Sequence, residues 1–340
     1  MASRFKTVVL VLSAAFLLLC FFLLVVGSVD IPMGDVLSIA FGNKSPNEAW
    51  NFIVVESRMP LIATSALAGT ALAVCGLLLQ TLFGNPLADP SILGISTGSS
   101  LGVAVVMLLA GGSFGLASYG YVATLSGALI GALAVMAVLL AFSSLVRSST
   151  MLLIIGVLIS YLASSAISLL NFFATQEGVH SYVIWGMGNF SGVTLGQLPV
   201  FATIVLVGLV CSLLMIKPLN AMLLGSRYAA NLGVNLRLMR NSLLLVTGLL
   251  TAVVTAFCGP VGFIGLIVPH VSRLLLRTTD HSRLLPVTML AGSVTAMLCM
   301  LLSVLPKDNG LIPINAITPV IGVPVIIYII LNRRKIFYFN

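Results

Sequence analysis

Residues able to do chemistry are scarce in this chain of 340 residues, which holds three histidines, five cysteines and eight Asp or Glu. No HExxH pair offers a zinc site. Gly186-Met187-Gly188 is followed by Asn189, where an intramembrane GxGD site needs a carboxylate. Ser126 and Ser191 each precede a glycine but lack the upstream glycine of a GxSG nucleophile. No lysine follows a glycine, so no GxxxxGK[ST] phosphate loop exists, and any ATP that drives this protein is hydrolysed by another polypeptide. Cys20, Cys75, Cys211, Cys258 and Cys299 are far apart in apolar runs with no CxxC pair, and read as packing residues. His180 and His281 read as loop residues, and His270, after Pro269, as part of a helix break. The expectation is a chain without catalytic residues, bound metal or cofactor.

Composition shows what these residues sit in. Hydrophobic residues make up 59% of the chain and charged ones 7%, against about 25% charged in a soluble domain. That is too little charge to coat a water-facing surface. It excludes a soluble globular protein, a disordered chain and a nucleic-acid binder, despite the net charge of +8. The class left is an all-α polytopic membrane protein, a single transmembrane domain over 1–340. Runs of about 20 apolar residues predict ten helices near 7–26, 58–82, 92–110, 118–143, 150–173, 194–216, 239–258, 263–278, 284–305 and 314–332. The first run is too long for a signal peptide and lacks an A-x-A site. The eighth, which follows Gly259-Pro260-Val261-Gly262 and contains Pro269, is expected to be half-length or broken.

The charges test that count. With both termini cytoplasmic, the inner side holds thirteen Lys and Arg, including Arg4, Arg147, Arg227, Arg277 and Arg333. The outer side holds three, Lys44, Arg58 and Lys307, together with six of the eight acids. This is a strong positive-inside bias, and one helix more or fewer in the middle would spoil it. Trp50 and Trp185 fall near the outer boundary and Phe337-Tyr338-Phe339 past the last helix, as interfacial belts do.

The helix interiors hold almost no ionisable group, and no acid or histidine is placed for a proton relay. Small residues are plentiful instead: Gly69, Ala73 and Gly76 share a helix face, and Gly98xxxGly102 and Gly127xxxGly131 allow close helix packing. Two loops are irregular. Asn85-Pro86-Leu87-Ala88-Asp89-Pro90 holds two prolines four apart, with Asp89 able to cap the next helix; it is either a rigid turn or a constriction at the inner mouth. The longest inner loop, about 217–238, places Leu223, Leu224, Tyr228, Ala229 and Leu232 at helical spacing between Gly225 and Gly233. A short amphipathic helix there could lie on the bilayer or dock a partner.

These segments together resemble a known family. Arg58-Met59-Pro60 with Gly84-Asn85-Pro86-Leu87-Ala88-Asp89-Pro90-Ser91-Ile92-Leu93-Gly94 is similar to the RLPR…NPLADPxxLGxSxG pattern of FecCD-type permeases. Gly262-Phe263-Ile264-Gly265-Leu266-Ile267-Val268-Pro269-His270 matches that family's GFIGLxxPH, and Ile321-Gly322-Val323-Pro324-Val325 matches its LGxPxF region in part. FecCD permeases are membrane subunits of bacterial importers for ferric siderophores, haem and vitamin B12.

The resemblance implies a multi-pass permease of the bacterial cytoplasmic (inner) membrane, of the type II ABC importer kind. Two copies would pair around a translocation path, two ABC ATPase subunits holding ATP and Mg would bind inside, and a solute-binding protein would dock outside. It makes Leu224, Gly225, Ser226, Arg227, Ala229, Ala230, Leu232 and Gly233 the ATPase-coupling loop, with Ser226 where the family usually has an acid. It makes Asn85, Leu87, Ser149 and Thr150 the inner gate. Arg58 matches a docking arginine whose neighbour in the motif is here Leu61, and Lys307 lies near where another family arginine sits. The competing reading is a secondary transporter or channel, which would need a coupling-ion site in this polypeptide.

Overall fold

The computed structural model describes residues 2–109, 120–146, 148–306 and 310–331. Arg147, Lys307, the aromatic run at 337–339 and the basic residues at 333–335 lie outside them. Among the described residues the chain is helical and has no strand. The helices are α1 (Ala2–Val25), α2 (Met33–Ala40), α3 (Glu48–Phe52), α4 (Met59–Phe83), α5 (Ile95–Ala104), α6 (Gly120–Leu145), α7 (Ser149–Phe173), α8 (Gln176–Gly186), α9 (Leu198–Leu214), α10 (Ile216–Met222), α11 (Ser226–Asn231), α12 (Leu236–Cys258), α13 (Ile264–Leu276), α14 (His281–Val304) and α15 (Ile314–Leu331).

Among the described residues six helical segments are long and apolar enough to cross a membrane, and α9 with α10 makes a seventh if the bent pair counts as one. Three shorter apolar segments, around α5, α13 and α15, fill the remaining expected places, so six, one and three give ten. α13 has 13 residues, about 20 Å at 1.5 Å per residue, against a hydrocarbon core of about 30 Å. The expected third span is also shorter than its hydropathy. Gly94 takes φ 80° between the 3₁₀ turn Pro90–Leu93 and α5, and a π-helical turn, Val105–Leu109, follows. The α9–α10 bend is 53°, because Pro218 cannot donate to the Leu214 carbonyl and crowds it.

Burial ranks the helices. The apolar windows of α4, α12 and α14 are 78%, 72% and 61% buried, and those of α1, α6 and α7 only 11%, 22% and 17%. The first three form the centre, and the others turn long apolar faces outward. Leucine gains nothing by leaving lipid for protein, so close backbone approach has to hold the centre. The glycines provide it. Gly69 of α4 backs onto Gly292 of α14, and Gly98 and Gly102 of α5 pair with Gly131 and Gly127 of α6. Thr70 and Ser293 add a buried 2.6 Å hydrogen bond between α4 and α14.

Candidate functional site

One end of the bundle carries the 217–238 loop, folded as α10 and α11. Gly225 (φ 97°) and Gly233 (φ 86°) bracket α11 in backbone conformations that favour glycine. Ala229 is buried, whereas Leu224, Tyr228 and Leu232, four residues apart, are 63%, 53% and 59% exposed. Gly225, Ser226, Arg227 and Ala230 are exposed beside them. The loop therefore presents an apolar ridge on a short helix, the kind of patch that marks an interaction surface.

That helix is tied to the bundle through Asn220 of α10. The Asn220 amide donates to the Asp280 carboxylate at 2.7 Å, and its carbonyl accepts from the His281 backbone N–H at 2.8 Å. The His281 ring lies 2.9 Å from the same Asn220 oxygen through Nδ1 and 2.9 Å from the Thr81 hydroxyl through Nε2. His281 is thus a buried residue at the start of α14, not a loop residue. Asp280 caps α14, accepting from the Ser282 N–H at 3.0 Å. Partial burial pushes its carboxyl up, but hydrogen bonds from Ser282 and Asn220 and the nearby Arg283 charge outweigh this and hold it below its ordinary 3.8.

The Asn85–Pro90 loop lies beside this clamp. α4 ends where Gly84 enters the left-handed region, and the Asn85 N–H returns to the Gln80 carbonyl, closing the helix end. The Asn85 side chain accepts from the Leu87 N–H at 2.9 Å, and Leu87 is 45% exposed. Asp89 is buried and caps the next turn through the Ser91 N–H and hydroxyl. Burial raises the Asp89 carboxyl above its ordinary range, and the two Ser91 hydrogen bonds work against that rise. Ser149 and Thr150 form the first turn of α7 behind the Ser148 cap, half-buried and exposed respectively. α7 packs on the Pro90–Leu93 turn, with Gly156 against Leu93. Among the described residues no hydrogen bond joins Asn85 or Leu87 to Ser149 or Thr150.

α13 carries a second tie to this loop. His270 Nε2 lies 2.7 Å from the Pro86 carbonyl, Arg273 donates to Gln80 Oε1 at 2.6 Å, and Gln80 Nε2 donates to the Leu266 carbonyl at 3.2 Å. The helix runs through Pro269 without breaking. Proline frees the carbonyl four residues earlier, that of Gly265, and this carbonyl faces Gly76 of α4, where a side chain would not fit. Phe263 starts α13 with φ 70°, uncommon for a bulky residue. Sequence reasoning missed Asn220, Gln80, His281 and Arg273. The signal was present in Asp280-His281-Ser282, a capping sequence, and in Gln80-Thr81, a polar pair closing an apolar run.

At the opposite end, Arg58 is turned inward. Its guanidinium donates to the carbonyls of Leu24 (2.6 Å), Val25 (3.0 Å) and Val29 (2.6 Å), and the residue is 5% exposed. It satisfies the orphan carbonyls at the end of α1. Among the described residues no group of three or more His, Cys, Asp or Glu is placed to hold a metal ion.

Known proteins are similar to this chain in sequence and fold. The model of the FecCD transport family matches residues 15–332. The vitamin B12 import system permease protein BtuC of Citrobacter koseri is 33% identical over 91% of this chain and 93% of its own length. BtuC of Salmonella typhi is 34% identical over 83% of this chain and 84% of its own. A solved chain of an ABC transporter assigned to the metal-chelate type, in an inward-facing conformation, superposes with a TM-score of 0.83. It is 27% identical and covers 97% of this chain and 99% of its own. With its motifs, its ten apolar segments and these matches over nearly the whole length, the chain belongs to the FecCD transport family, the permeases of ABC importers.

Proposed function

We propose that two copies of this permease form the membrane pathway of an importer for a metal chelate or vitamin B12, with two ABC ATPase subunits seated on α11 and a solute-binding protein delivering cargo at the opposite end. The observation that carries this reading is the exposed ridge of Leu224, Tyr228 and Leu232 on and beside α11, which follows directly on the α10 helix that Asn220 clamps to α14. A groove in the ATPase would cover the ridge, and its closure would move α10 and α11 as a rigid body. The clamp passes that movement to the end of α4 and the Asn85–Pro90 loop, where Asn85, Leu87, Ser149 and Thr150 would close the pathway. ATP and Mg belong to the partner subunits.

The relatives' names, vitamin B12 import and metal-chelate type, support a bulky chelated cargo. The charge bias of the loops supports an inner membrane location with the α11 end and both termini in the cytoplasm. Lys307 would contact the binding protein. Arg58 could do so only after leaving the Leu24 and Val25 carbonyls at the α1 end and that of Val29 in the loop after it.

The test is reconstitution. Vesicles containing the permease, the ATPase and the binding protein are expected to accumulate cargo with ATP, and the permease alone is not. Leu224→Asp with Tyr228→Asp is expected to abolish co-purification of the ATPase while leaving the permease monodisperse. Uptake by the permease alone would end this reading.

A further inference from the structure

A cavity of about 530 Å³ lies among α5, α7, α8, the 260–262 segment and the first turn of α15. Seven of its twelve lining residues carry a hydroxyl, and none is charged. α5 contributes Ser96, Thr97 and Ser100, α7 contributes Ser164 and Ser168, and α8 contributes Tyr182. The concentration is local. Elsewhere α7 presents Leu158, Leu162 and Leu169, all more than half exposed.

Several of these hydroxyls already place their hydrogens. Ser100 donates to the Ser96 carbonyl and Ser168 to the Ser164 carbonyl, each at 3.0 Å, which leaves their oxygen lone pairs available as acceptors. The Thr97 and Ser164 hydroxyls make no hydrogen bond among the described residues, so they can donate as well as accept. Asn315, at the rim, is spent on structure, bonding Gly186, Pro260 and Gly262. The surface therefore exchanges hydrogen bonds in both directions and offers no counter-charge. A charged cargo would find no counter-charge on this surface to offset its loss of water.

We propose that this hydroxyl-lined wall contacts the cargo in transit and makes the pathway selective for an electrically neutral chelate rich in amide, hydroxamate or hydroxyl groups, part of whose water shell the hydroxyls replace. The inference rests on the importer reading above and narrows it. A dicarboxylate such as haem, or a polyanionic chelate, is the wrong class. Carboxamides of a corrinoid and hydroxamates of a siderophore present the same chemistry.

The test uses the assembled transporter in vesicles, supplied in turn with cyanocobalamin, a neutral ferric trihydroxamate and haem. The wild type is expected to take up one of the two neutral chelates, which identifies the source of the chemistry. Thr97→Val with Ser164→Ala is expected to slow that uptake about tenfold through two lost hydrogen bonds, with ATPase co-purification unchanged. Ser164→Lys and Ser164→Asp are expected to impair a neutral cargo alike. Wild-type uptake with an unaffected double variant, preferential uptake of haem, or a Ser164→Lys variant that transports well while Ser164→Asp does not would overturn the cavity proposal alone. Uptake of none of the three probes by the wild-type assembly would overturn the cavity proposal, whereas the importer reading falls only if the permease transports without its ATPase and binding protein.

Discussion

Gly265→Ala should destabilise the permease even though the residue lies in a helix, where alanine is normally the better choice. Two effects oppose each other. Replacing glycine inside a helix gains about 0.5–1 kcal/mol from backbone entropy. Against that, a Cβ at Gly265 would lie 2.7 Å from the Asp89 carboxylate, 2.8 Å from the Pro90 ring and 3.0 Å from the Leu72 carbonyl. Ordinary contact begins at 3.4 Å, so the shortfalls are 0.7, 0.6 and 0.4 Å. None of the three neighbours yields easily: one is α4 backbone, one a proline ring, and one a carboxylate held by Ser91. Overpacking of this kind costs about 1–3 kcal/mol, and loss of the Asp89 cap about 0.5–2 kcal/mol more. The net expectation is a loss of about 2–3 kcal/mol, read as a lower midpoint when detergent-solubilised protein is heated and the surviving folded fraction is measured by gel filtration. Gly262→Ala is the matched control, since a Cβ there meets nothing within 4 Å. If Gly265→Ala melts with or above the wild type, the close packing of α13 on the Asn85–Pro90 loop is not what holds this region.

Asn220→Leu removes the partner of His281 and Asp280; in the assembled transporter we expect ATP hydrolysis to persist while cargo moved per ATP falls severalfold, and unchanged stoichiometry would show that the clamp transmits nothing. Arg58→Ala leaves the Leu24, Val25 and Val29 carbonyls without their donor and should cost roughly 2–4 kcal/mol of stability, with Arg58→Lys intermediate. A normal melting midpoint for Arg58→Ala, combined with weakened binding-protein affinity, would instead make this arginine a docking residue. The Asp280 carboxyl is held below its ordinary 3.8 in the folded protein, so its stabilisation is present above that value and is lost as pH falls through the lower folded value. The midpoint drop between pH 6 and pH 3 should therefore shrink in Asp280→Asn, which keeps a cap but cannot titrate; equal drops in both proteins would refute this.

The apolar segments were legible because hydrophobicity is additive along a chain. A run such as 150–173 stays apolar whatever it packs against, and α7 spans Ser149–Phe173. The irregularities within segments were less legible. Gly94, Phe263 and the π-helical turn Val105–Leu109 after α5 depend on backbone conformations chosen by the neighbours, and hydropathy does not register them. The short helices α2, α3 and α8 lack the length that a span criterion seeks. The glycine motifs announced close packing but not its pairing, because any two such faces fit. Only the folded chain shows Gly98 and Gly102 meeting Gly131 and Gly127.

The α11 ridge shows the same division. The spacing of Leu224, Tyr228 and Leu232 between two glycines predicts a short amphipathic helix, since local periodicity sets which residues share a face. That Asn220 of the preceding α10 bonds His281, 61 residues away, and that Thr81 completes the clamp from α4, followed from tertiary packing alone. Arg58 divides differently: its charge and boundary position were plain in the letters, yet its inward orientation was decided by two carbonyls at the end of α1 and one in the loop after it. By itself the sequence determined a membrane-embedded permease whose letters hold no GxxxxGK[ST] phosphate loop, because both depend on residue types and their local order. Tertiary structure decided which polar groups meet, because a hydrogen bond between distant residues depends on atomic positions that no local pattern encodes.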